Sequence, residues 1–144
     1  MKKTLLLAAL ALAGGAVPAA DAPKAAKALY VTDDHSTATL IDRATVAGIW
    51  KDGLPEAKLV KLYPPAKWGF LSQVEGGMAG QTCVVTARVV LLPRTSPTRR
   101  LVWEPAKTST AFDARSGVNA AQCSELAADK LKQALASLVS GLVK

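Results

Sequence analysis

His35 stands in the run Asp33-Asp34-His35-Ser36, so one short stretch holds the residue types of a Ser-His-Asp triad. A triad needs a hydroxyl, an imidazole and a carboxylate that converge from separate parts of the chain. Adjacent residues point apart, so this run reads as a solvated cluster at a helix start. Metal chemistry has few ligands to draw on. With a single histidine and two cysteines, a zinc site would depend on carboxylates. Asp33-Asp34 lacks the dense oxygen-ligand spacing of a calcium loop. No metal and no cofactor is expected. Glu75 and Glu104 could stand on outer strands of one sheet as a glycosidase-like pair, but both are accounted for as charges flanking Arg88. The run Gly76-Gly77-Met78-Ala79-Gly80 resembles a phosphate-binding loop only superficially. It has no Gly-Lys-Ser/Thr ending and it joins two strands rather than a strand and a helix.

Two basic regions are better candidates for recognition. Lys51, Lys58, Lys61 and Lys67 run through the middle of the chain, with Trp50, Tyr63 and Trp68 among them. Arg94, Arg99 and Arg100 cluster further on. Cations hold phosphate or carboxylate, and aromatic rings stack or sit at an interface. The competing reading is that the lysines solvate a helix face and the arginines guard a strand edge.

The compartment is written at the start. Met1-Lys2-Lys3-Thr4 is cationic, Leu5 to Ala13 is apolar, and Val17-Pro18-Ala19-Ala20-Asp21-Ala22 supplies small residues in an A-x-A pattern. This is the pattern of a secretory signal peptide of bacterial type, residues 1–22. Its apolar run is shorter than the roughly 20 residues a membrane span needs. No later run approaches that length, so no transmembrane segment is expected after cleavage. The expected location is periplasmic or secreted. The whole chain carries a formal net charge of +7. Cleavage removes two lysines and one aspartate, so the remaining ~120 residues stay basic and form one domain of ordinary size.

In an oxidising compartment the only two cysteines, Cys83 and Cys123, are expected to pair. Closing a loop of about 41 residues is worth roughly 4 kcal/mol in the chain-entropy account.

The elements that must position these residues are read as follows. Residues 23–36 form a mobile lead-in, in which Leu29-Tyr30-Val31 could be a short strand or a tether onto the body, and 37–144 a single α+β domain. Leu40, Ile41, Ala44, Ala47 and Gly48 fall at helical spacing, with Asp34 or Ser36 as the cap. Pro55 to Leu62 reads as a short helix with Leu59, Leu62 and Tyr63 on its apolar side, ended by Pro64. A three-stranded antiparallel meander follows: Trp68–Glu75, Thr82–Leu92, and a run within Arg99–Phe112 that Pro105 confines to an edge or bulge. Residues 76–81 are the first connection. In the central strand Cys83, Val85, Ala87, Val89 and Leu91 share one wholly apolar face. If Glu75 pairs with Thr82, then Trp68, Phe70 and Val74 join that core face. A long helix closes the chain. Asn119 and Gln122 form its capping box, and Leu126, Ala127, Leu131, Ala134, Leu135, Leu138 and Leu142 form its stripe. The Cys83–Cys123 bond would fasten this helix to the core face of the middle strand.

These features point to an exported, non-enzymatic envelope protein, a binding or accessory module. Its partner would be an envelope protein or an anionic envelope component, met at the basic surface. Nucleic acid is not expected as a partner. The alternatives are a cell-wall or peptide hydrolase and an inhibitor of a secreted enzyme.

Overall fold

The computed structural model describes residues 28–96, 98 and 100–144. The expected export signal at 1–22, the start of the lead-in at 23–27 and Arg99 lie outside the described residues. The elements run β1 (Thr32–Asp34), α1 (Arg43–Gly53), α2 (Glu56–Leu62), β2 (Trp68–Ala79), β3 (Thr82–Pro93), β4 (Lys107–Ser116) and α3 (Ala120–Leu142). They build an α+β fold with one mixed sheet of order β1-β2-β3-β4. The helices lie on one face of the sheet.

β3 is the centre of the sheet because its β-branched run can be buried on both faces. Val85, Ala87, Val89 and Leu91 are fully buried on the helix face. Facing them, α3 sends in Leu126, Ala127, Leu131, Ala134, Leu135, Leu138 and Leu142. Each buried leucine or valine contributes about 1.5–3 kcal/mol by leaving water. α3 starts where the sequence places it. The Asn119 side chain accepts from the Gln122 backbone N–H at 2.9 Å, and the Gln122 side chain accepts from the Asn119 N–H at 2.9 Å. One turn in, Cys123 is bonded to Cys83, with the two Cα atoms 5.5 Å apart.

The β2–β3 hairpin is longer than expected. β2 continues through the glycine-rich stretch to Ala79, and the turn is only Gly80-Gln81, so Ala79 rather than Glu75 lies opposite Thr82. The reason is close backbone approach, not a loop. Gly76 has φ 125°, and a Cβ there would fall 2.0 Å from the Val84 carbonyl oxygen. Glu75 pairs instead with Thr86. That slip of four residues is even, so side-chain parity is kept: Phe70 and Val74 do face the core.

Further expectations are corrected. The sheet has four strands, not three, because Thr32–Asp34 pairs in parallel with Phe70–Ser72. The last strand lies at the sheet's edge, as expected, but it is Lys107–Ser116, so Pro105 precedes it rather than bulging it. α1 begins after Asp42, whose side chain accepts from the Thr45 N–H at 2.9 Å. Neither Asp34 nor Ser36 caps it. Its buried side is Val46, Ile49 and Trp50, while Ala44 and Ala47 are exposed. Leu40 and Ile41 are buried in the turn just before it. In α2, Leu59 is buried, but Leu62 is exposed.

The other sheet face also has a small core. Leu71, Val90 and Leu92 are buried beneath Leu101. The segment between β3 and β4 folds back over that end of the sheet, tied by the Arg94–Leu101 bridge.

Candidate anionic-partner surface

The two basic regions are distant in sequence but meet at one end of the sheet. β2 begins and β3 ends there, with Trp68 opposite Pro93. The Arg94 N–H donates to the Lys67 carbonyl at 2.8 Å. Its guanidinium donates through Nη1 to the Pro65 carbonyl at 2.6 Å. A charged donor to a carbonyl is a strong hydrogen bond. Arg94 is therefore half-buried and braces the Pro64–Trp68 turn.

Arg100 and Lys67 are exposed. Arg100 sits in a tight loop: its N–H donates to Thr95 Oγ1 at 3.2 Å, and its carbonyl accepts from the Thr95 N–H at 2.8 Å. Lys58 and Lys61 are exposed on α2, which leads directly into this end. Trp68 is half-buried and stands edge-on to Tyr63, ring centroids 5.7 Å apart. Tyr63 is held in turn by its carbonyl, which accepts from the Tyr30 hydroxyl at 2.7 Å. Burial pushes the Tyr30 phenol above its ordinary value, and the Glu56 carboxylate adds to the rise. Lys51 lies apart, in the last turn of α1. Arg99 falls outside the described residues.

The Asp33–Ser36 run is divided by the sheet. β1 alternates its side chains. Asp33 and His35 take the open face, where His35 Nε2 lies 3.2 Å from Asp33 Oδ2 and the ring stacks on Trp103. Asp34 and Ser36 take the helix face. Asp34 Oδ1 accepts from Ser36 Oγ at 2.6 Å and from Ser72 Oγ at 2.9 Å. Ser72 Oγ accepts from Trp50 Nε1 at 3.2 Å, and Ser36 Oγ accepts from the Val74 N–H at 3.0 Å. This network was missed in the sequence. Its one signal was Ser72 itself, a polar residue at core parity between Phe70 and Val74. The serines and the imidazole lie on opposite faces, so the run is no triad and no solvated helix start either.

Two cavities lie on the helix side. One, of about 310 Å³, is lined by Ile49, Gly53, Leu135 and Ala136 with Asp52 and Lys132. The other, of about 210 Å³, lies around Leu40, Ile41, Thr45 and Asp42. Each holds a single carboxylate, whereas glycoside hydrolysis needs two facing ones. Among the described residues no group of three or more His, Cys, Asp and Glu side chains could hold a metal ion. Among them, no helix is long and apolar enough to cross a membrane.

No family model matches the chain. No curated protein matches it either. Among solved structures, a Xanthomonas campestris protein of the DUF330 family is 21% identical over 54% of this chain, with a TM-score of 0.32. The match spans 46% of that protein, less than half its length. A candidate lipoprotein from Caulobacter crescentus CB15 is 9% identical, with 78% of this chain and 84% of that one covered and a TM-score of 0.35. Overlaps this loose carry neither fold nor function across, and the reading below rests on this chain's own residues.

Proposed function

We propose that the protein is an exported, non-enzymatic envelope module whose basic end engages an anionic envelope component. The observation that carries this reading is the fold-back at Arg94. It brings the loop bearing Arg100 against the turn bearing Lys67 and Trp68. Cations from distant parts of the chain thereby share one end with an aromatic pair. Clustered exposed cations attract phosphates and carboxylates over roughly a Debye length. The export signal and the Cys83–Cys123 bond fit an oxidising, extracytoplasmic compartment.

The test is co-sedimentation with vesicles of phosphatidylglycerol, with phosphatidylcholine vesicles as control. Lys58, Lys61, Lys67 and Arg100 are replaced together by serine, while Arg94 is left in place because it braces the turn. Binding to the anionic vesicles should fall with added salt, and each removed cation should weaken it by about 1 kcal/mol. A variant that binds as the parent does, with a curve insensitive to salt, would remove this function.

A further inference from the structure

The two edges of the sheet are built differently. β1 is three residues long, and a short strand is one of the ways proteins blunt an edge. β4 runs for ten residues, Lys107–Ser116, with no proline within it. Among the described strands none pairs with its outer side. Phe70, Ser72 and Val74 direct backbone bonds towards the lead-in (Phe70 N–H to Val31 O, Ser72 O to the His35 N–H, Val74 O to the Thr37 N–H). Backbone groups along a strand alternate between its two neighbours. Carried across the registers, that alternation turns Ser109, Ala111 and Asp113 towards β3. The Gly117 N–H, of the same parity, indeed donates to the Gln81 carbonyl at 2.8 Å. Thr108, Thr110 and Phe112 therefore aim their N–H and C=O groups outward, as does the Ala114 C=O, while the Ala114 N–H donates to Asp113 Oδ1 at 2.9 Å; all four residues are exposed.

We propose that this edge is where two copies of the chain join, β4 against β4 in antiparallel fashion, making one continuous sheet. Charge selects the register. With Thr110 opposite its own copy, Thr108 meets Phe112, Ser109 meets Ala111 and Lys107 meets Asp113 on the helix side. Two opposite-charge pairs then cross the interface, one at each end. Asp113 Oδ2 is already held by Lys130 at 3.0 Å, with Arg115 at 3.7 Å, and Oδ1 accepts from the Ala114 N–H at 2.9 Å; each carboxylate oxygen has two lone pairs, so Lys107 of the other copy would share Oδ1 with that N–H. Slipping the pairing by two residues in one direction sets Lys107 against Arg115. Slipping it by two in the other sets Lys107 against Ala111. Either slip loses the charge pairing, and like charges directly opposite are destabilising. The selected register also makes Thr110 with Thr110 and Thr108 with Phe112 the hydrogen-bonded pairs, as the outward backbone groups require. Exposed Phe112 lies over Thr108 of the other copy on the open face. Pairing over residues 107–113 is a small interface, so the dimer is weak and concentration-dependent.

The test combines sedimentation with hydrogen exchange of the whole exported chain from about 1 µM to about 1 mM. The average mass should rise towards that of a dimer. Over the same range the amides of Thr108, Thr110 and Phe112 should slow by at least about tenfold, while those of Ser109, Ala111 and Asp113, already bonded to β3, stay unchanged. Thr110→Pro removes an outward donor but no bond to β3 and should abolish the mass increase. Lys107→Glu, which does not touch the backbone, should weaken it about tenfold. A chain that stays monomeric throughout, or a dimer that survives both substitutions with those three amides still fast, overturns the proposal.

Discussion

Asp34, on the short first strand, accepts the Ser72 hydroxyl of the neighbouring strand at 2.9 Å. This contact fixes the lead-in to the sheet. Ser72 is fully buried, and its hydroxyl also accepts from the indole of Trp50 on α1. One hydroxyl thus joins β1, β2 and α1. Ser72→Ala leaves the indole N–H without its partner inside the protein. An orphaned buried donor costs about 1–3 kcal/mol, and urea unfolding should show a loss of that size. An unchanged urea midpoint would mean that water replaces the hydroxyl.

Acid should weaken the fold through two carboxyls. The hydrogen bond from Lys130 holds Asp113 below its ordinary value of 3.8, helped by the Lys130 charge. The Thr45 hydroxyl and N–H do the same for Asp42 at the start of α1. Folded, both groups bind a proton less readily than they do unfolded. Their stabilisation is therefore complete above the ordinary carboxyl value and disappears as the pH falls through the lowered folded values. Thermal midpoints should be level from pH 7 to about 5 and drop below about 4. Lys130→Met should make that drop shallower, because Asp113 then loses the bond that depresses it.

Gly76 and Gly77 both have positive φ, but only Gly76 has a backbone against it. Alanine at Gly77 meets open space and should cost only the strain of its backbone conformation, about 1–3 kcal/mol. Alanine at Gly76 adds a collision with the Val84 carbonyl, which sits in the central strand. Denaturation midpoints should rank parent, Gly77→Ala, Gly76→Ala. Equal losses in the two variants would mean that the hairpin can open at Gly76 without disturbing β3.

The legible parts of this fold are those specified locally. The α3 cap is a four-residue pattern, and its stripe repeats over about five turns. The faces of β3 follow from alternation alone, which is why its core side could be read even though the register to β2 was four residues out. β1 was only half legible: Leu29-Tyr30-Val31 reads as a short strand or a tether, whereas the strand itself is the next three residues, Thr32–Asp34. In Thr-Asp-Asp the threonine favours a strand but both aspartates disfavour one, and the segment is extended because β2 offers it a partner and Ser72 offers it a hydroxyl. The glycines at 76 and 77 looked like a turn because close approach of another backbone leaves no mark in the sequence. At the basic end the residue types were plain, but the division of labour was not. Arg94 and Arg100 look alike in the sequence; one braces a turn and the other faces solvent.

The parallel pairing of β1 has a mechanical consequence. The chain enters the domain at Ala28–Leu29, beside the basic end, with the Leu29 N–H held by Glu56 at 3.0 Å. From there it runs alongside β2 in the same direction. Tension on the upstream polypeptide, directed along the strand, would load the bonds at Val31, His35 and Thr37 together, in shear. It could not peel them away one after another. The domain is thus gripped along its sheet, by the strand whose start lies beside the cationic end.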